Sequence, residues 1–164
     1  MLARMRSLPD PGFAGDDGTA DRDLAAALAA HDADPDSRER WLAALAALQD
    51  IRLLVPVVAT PEDGETEKNT DMAAVLMRGR GGRTALLAFT GLAAMAAWDP
   101  GARPVPVSAY DAARGAFQNG AEALLVDVAG PVLFAVEGED LRSLAAGHRL
   151  VELAGGQWGW VAPA

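Results

Sequence analysis

Apolar positions recur along this chain in two rhythms. At Leu24, Leu28 and His31, and again at Trp41, Leu45 and Leu48, they return every three or four residues, the spacing that gathers side chains on one face of a helix. A turn at Asp34-Pro35-Asp36 separates these two short helices, and Asp36 or Ser37 is placed to cap the second. From Arg52 the rhythm changes. RLLVPVVAT (52–60) is a continuous, β-branched run that reads as a buried strand, and Pro56, which has no N–H to donate, assigns that strand to an edge or a bulge. Further strands are expected at 72–78 and 84–89. They are joined through Arg78-Gly79-Arg80-Gly81-Gly82-Arg83, whose glycines suit a turn with positive φ.

At Thr90 the helical rhythm returns. Leu92, Met95, Ala96 and Trp98 suit a short helix capped by Thr90 and stopped at Asp99-Pro100, with Pro104 to Val107 extended beyond it. Ser108 and Asp111 form an S-x-x-D capping box that opens a helix burying Ala112, Ala113, Ala116 and Phe117 and ending at Asn119-Gly120. ALLVDV (123–128) and VLFAVE (132–137) are apolar strands joined by Ala129-Gly130-Pro131, and 139–146 is a helix stopped by Gly147. The sum is an α+β fold: one domain with a mixed sheet of about five strands and helices packed on it. Residues 1–20 mix Pro, Gly and Asp without a period and read as a flexible tail. The domain then spans 21–154, and 155–164 form a C-terminal tail rich in Gly and Trp.

Composition narrows the function. A chain of 164 residues suits a single domain that buries roughly 70% of the surface its unfolded form exposes. No apolar run approaches the ~18 to 20 residues that span a membrane, and MLARMRSLPDPGFAG lacks the apolar centre of a secretory signal, so a cytoplasmic protein with no membrane partner is expected. With no cysteine there is no disulfide, thiol nucleophile or thiolate metal site. A net charge of -9 argues against nucleic acid, which needs clustered Lys and Arg. The acids concentrate in residues 9–40 and 61–71, and both runs read as solvated surface of an acidic protein.

The stretch AFTGLAAMAAW, the following ARPVPV, and GAEALLVDVAGPVLFAVEG with its terminal L-x-x-L helix resemble the N-terminal domain of the SseB family over roughly residues 40–147. Phe89-Thr90, Trp98, Pro104 to Val107 and Gly130-Pro131 carry the resemblance, and none of them is a catalytic signature. The resemblance implies a small α+β protein with no established reaction or cofactor.

Candidate chemistry is sparse. Thr90 stands where a strand runs into a helix, an end whose free N–H groups suit a carboxylate or phosphate, although capping by Thr90 and packing by Phe89 account for both residues. Arg78, Arg80 and Arg83 are the strongest local positive charge and suit an anion or an acidic partner. The acidic run from Glu62 to Glu67 lacks the alternating ligands of a calcium loop. Only two histidines exist, His31 on a helical stripe and His148 after a helix stop, and no nucleophile elbow, P-loop, dinucleotide or zincin motif is present. Trp98 anchors its helix, whereas Trp158 and Trp160 either pack back on the domain or offer an apolar patch. The expectation is a non-catalytic interaction or scaffold domain without metal or cofactor. It acts through an unidentified protein partner on a surface drawn from Phe89, Thr90, Trp98, Arg78, Arg80, Arg83, Trp158 and Trp160. A small-molecule or anion-binding regulator is the second reading, and an enzyme of unknown reaction the third.

Overall fold

Side chains alternate between the two faces of a strand, and along the central strands of this protein that alternation sorts the apolar residues into two layers. The computed structural model describes residues 13, 15–60 and 71–164; the greater part of the tail expected over 1–20, and most of the acidic loop, lie outside the described residues. α1 (Arg22–Ala33) and α2 (Arg38–Leu48) come first and pack together. Asp21 caps α1 by accepting from the Leu24 N–H at 3.0 Å, and Ser37, not Asp36, caps α2 by accepting from the Arg40 N–H at 3.2 Å.

β1 (Arg52–Thr60) then enters the sheet with partners on both sides: β2 (Asp71–Ala74) along its second half and β5 (Arg103–Ser108) along its first, both antiparallel. The expectation that Pro56 marks an edge or bulge is therefore corrected. Leu54 exchanges both backbone bonds with Phe89 at 2.8 Å, so the polar groups of Pro56, two residues on, face the same side. There Pro56 meets no acceptor left without a partner, because the chain leaves β1 after Ala74 and the next carbonyl, that of Val75, accepts from the Leu87 N–H at 3.2 Å. On β5 the partners of Leu54 and Pro56 are Pro106 and Pro104, whose missing donors face the outer edge of the sheet, where no strand pairs among the described residues.

After Val75, β3 (Leu76–Arg78) pairs with β4 (Thr84–Ala88), and a second sheet continues through β6 (Ala123–Val126) to β7 (Phe134–Glu137). Its β4–β6 pair is parallel and the others are antiparallel. One layer collects Leu53 and Val55 from β1, Leu86 and Ala88 from β4, and Leu124 and Val126 from β6. α1, α2, α4 (Ala109–Gln118) and α5 (Gly138–Ala145) contribute to that layer. The opposite layer is small: Leu54, Leu87 and Phe89, with Ala94 and Met95 from α3 (Leu92–Trp98). The fold is α+β, with strands divided between a three-stranded and a four-stranded sheet and a separate hairpin.

Ser108 caps α4 as its S-x-x-D pattern requires, accepting from the Asp111 N–H at 3.0 Å. Phe117, expected to be buried, is 44% exposed. The buried stripe of α4 is Ala109, Ala112, Ala113 and Ala116, and a residue directly after Ala116 is turned about 100° away from it. The C-terminal tail is also structured. β8 (Arg149–Glu152) and β9 (Trp158–Val161) form an antiparallel hairpin whose turn carries Gly155 and Gly156 at φ +83° and +76°.

Candidate functional site

Strand β4 ends at Ala88, and the next three residues are Phe89, Thr90 and Gly91. Because β6 runs parallel beside β4, its own end brings Asp127 to the same place. The Asp127 N–H donates to the Ala88 carbonyl at 3.0 Å and turns the residue to φ +54°, a region that Asp and Asn accept more readily than other side chains. Its carboxylate then receives two bonds from one residue: the Thr90 N–H to Oδ1 at 2.8 Å and the Thr90 hydroxyl to Oδ2 at 2.7 Å. Thr90 is therefore not the helix cap expected from the sequence. Its hydroxyl is committed to Asp127, and Gly91 occupies the cap position of α3 without a side-chain bond.

Thr90 and Asp127 are both buried. Withdrawal from water pushes the Asp127 carboxyl above the usual aspartate range, and the two bonds from Thr90 oppose that shift. On the other side of the junction, the Arg52 guanidinium donates to the Thr90 carbonyl at 2.6 Å, to the Thr19 carbonyl at 3.0 Å and to both oxygens of Asp16. The hydrogen bonds and charge of Arg52 hold the Asp16 carboxyl below its ordinary value. The Leu92 N–H donates to the Gly18 carbonyl at 2.8 Å. Residues 16–20, expected as tail, thus form a strap tied to the end of β4.

Between this strap, α1 and the start of α3 lies a cleft of about 500 Å³. Leu28, Ala25 and Ala29 of α1 line one wall, Leu92 and Ala93 the other, and Thr90 and Asp127 lie at its base with Val132 beside them. The lining is chiefly apolar, and neither histidine takes part in it. His31 stands with its ring edge-on to Phe134, centroids 5.6 Å apart, with a buried Nδ1 that has no hydrogen-bond partner among the described residues. The His148 N–H donates to the Ser143 carbonyl just past α5.

The other residues singled out from the sequence do not assemble into one surface. Phe89 is fully buried, and Trp98 packs on it with centroids 5.6 Å apart. Trp158 and Trp160 pack instead against the larger core, and the Trp160 indole donates to Asp140 Oδ1 at 3.0 Å. At the arginine turn, Arg83 pairs with Glu122 at 3.2 Å and Glu137 at 2.8 Å, while Arg78 and Arg80 are exposed. The functional reading of these residues missed Asp127, the strap and the cleft. Polar residues closing two apolar runs, Thr90 one residue past the end of β4 and Asp127 directly after β6, were the available signal.

Among the described residues no helix is long and apolar enough to cross a membrane. No curated protein and no solved structure matches the chain. The model of the SseB protein N-terminal domain does match it, over residues 24–143, from within α1 to within α5. That is most of the chain and all of the elements that build the Thr90 junction except the strap, and the protein belongs to the SseB family.

Proposed function

We propose that this SseB domain is a non-catalytic interaction module that receives an apolar side chain of a protein partner in the cleft between α1 and α3. The observation that carries the reading is the chiefly apolar lining of the cleft, whose one buried carboxylate, Asp127, accepts at both oxygens from Thr90. These bonds hold the carboxylate in one orientation, and neither histidine lines the cleft to work with it as an acid–base partner. Here the carboxylate fastens two strand ends together, and the walls around it are apolar. Anion binding at the same place is disfavoured for a related reason. The N–H groups of Thr90 and Leu92 are already donated to Asp127 and to the Gly18 carbonyl.

The apolar surface reaches the rim of the cleft, where Leu92 is 44% exposed. A protein surface covers such a rim, whereas a small molecule fills only the hollow. Ala29 is exposed and lines the cleft, so Ala29→Trp obstructs it from outside the core. A partner recovered with the intact chain, and then reassembled from purified components, is expected to lose at least tenfold in affinity for the Ala29→Trp protein. Unchanged affinity moves the contact elsewhere on the domain. Thermal stabilisation of the free protein by small apolar metabolites, abolished by the same substitution, favours the small-molecule reading instead.

A further inference from the structure

The two exposed aromatic side chains among the described residues sit on one helix. Tyr110 is 38% exposed and Phe117 44%, and Arg114 lies between them on α4. The spacing of four and then three residues puts all three on one face. The Arg114 guanidinium lies 5.3 Å from the centre of the Tyr110 ring, a cation–π contact that holds it along the helix. Gly147, just beyond α5, approaches that ring closely enough that a Cβ there would stand 3.4 Å from Tyr110 Cε2. Beside this stripe, Arg114, Phe117 and Gln118 of α4 and Arg142, Ala145 and Ala146 at the end of α5 enclose an open hollow of about 420 Å³.

The charge of this face is opposite to that of the molecule. The chain carries a net -9, yet two arginines border the hollow, and no acid lines it. Four other arginines, Arg38, Arg52, Arg83 and Arg149, have carboxylates within bridging distance, whereas Arg114 and Arg142 have none among the described residues. An exposed phenylalanine beside two guanidinium groups that have no carboxylate partner among the described residues combines residue types enriched at protein interfaces. The hollow accepts an apolar anchor on Phe117 and offers two bidentate sites for carboxylates at its rim.

We propose that the face where α4 meets α5 is a docking surface for a short acidic segment of a partner protein carrying a leucine or phenylalanine anchor. A nucleic acid backbone needs a longer track of clustered cations than the two arginines of this face, whereas the carboxylates of a short segment match them one to one. This surface is separate from the cleft between α1 and α3 and shares no lining residue with it.

The test titrates the full chain, isotope-labelled for amide spectra, with a synthetic peptide in which Glu and Asp alternate with Leu and Phe. Expected are shifts confined to the amides around Arg114–Gln118 and Arg142–Gly147, at a peptide concentration of about 1 mM or below. Affinity is expected to fall at least tenfold in the Arg114→Glu/Arg142→Glu protein and in Phe117→Ser. It should also weaken as salt rises to about 1 M, where charges are screened within about 3 Å. Arg114→Gln/Arg142→Gln gives the same readout with a smaller loss if charge reversal disturbs the fold. Ala29→Trp leaves the titration unchanged, which separates this surface from the cleft. Absence of shifts at these amides, equal affinity for a peptide with Lys in place of its acids, or stronger shifts with a single-stranded oligonucleotide overturns the proposal. So does a concentration-dependent dimer, seen by sedimentation, that the double charge reversal dissolves, because the occupant is then a second copy of this chain.

Discussion

Asp127 shows at the scale of one residue how a carboxylate can be expensive and still be kept. Burial raises its pKa, so the folded protein holds this proton at pH values where the unfolded chain has released it. The stabilisation from Asp127 is therefore complete in acid, below the ordinary aspartate value. It is lost as pH climbs from that value through the raised one of the folded state. Asn at this position accepts the same backbone region and can still accept from the Thr90 N–H, while its amide donates to the Thr90 hydroxyl. Asp127→Asn is accordingly expected to remove the decline in urea midpoint that this titration gives the wild type as pH rises above the ordinary aspartate value. Asp16 works in the opposite sense. Arg52 lowers its pKa, so its contribution is present above the ordinary value and fades as pH falls through the lowered one. An unchanged pH profile in Asp127→Asn removes Asp127 as the origin of the slope. Thr90 and Asp127 each follow an apolar strand, and that much was legible in the residues. Their partnership was not, because it depends on the parallel pairing of β4 with β6 across an intervening helix, strand and helix.

At the scale of elements, periodicity located the helices and strands well, but it left open what lies beside each. Pro56 illustrates the gap. A missing N–H is damaging only where an acceptor awaits it, and β2 leaves β1 at that point. Phe117 illustrates another. An alanine stripe is so small that the neighbouring phenylalanine looks like the better core residue, although the helix turns it outward. Neighbour relations of this kind are also made by single side chains. Gln49, at the end of α2, donates from Nε2 to the Leu150 carbonyl and accepts at Oε1 from the Leu150 N–H, both at 2.8 Å. One amide thereby extends the edge of β8 as a paired strand would, and Arg149 adds a two-pronged contact to Asp50 at 2.7 and 3.0 Å. Gln49→Ala leaves two backbone groups of the nearly buried Leu150 without partners. The expected cost is about 1 to 3 kcal/mol in chemical denaturation, with the earliest loss of amide protection in β8 and β9. A loss confined to α2 instead makes Gln49 a helix-end residue only.

Across the whole molecule, the strap carries bonded structure N-terminal to the boundary expected at Asp21. Its acids and glycines have no hydrophobic period, so the pattern along the chain placed the boundary at Asp21. What holds the strap is backbone packing and charge: Arg52, whose side chain is 9% exposed, gathers Asp16, Thr19 and Thr90. The close approach is permitted by Gly91. Its φ of -164° is extended backbone that any residue adopts, so its requirement is spatial. A Cβ there would lie 2.9 Å from the Ala20 nitrogen and 2.9 Å from the Gly18 oxygen. Gly91→Ala should destabilise the full chain by about 1 to 3 kcal/mol, the usual cost of forcing an extra carbon into a packed site. The three atoms nearest to this Cβ all belong to the strap. In a chain beginning at Asp21, itself weakened by the loss of Arg52's partners, the same substitution is expected to be nearly neutral. The two changes should therefore be strongly non-additive in a double-mutant cycle read by denaturant midpoint. Simple addition would mean that the strap does not rest on Gly91 in solution and that one wall of the cleft is absent from the working protein.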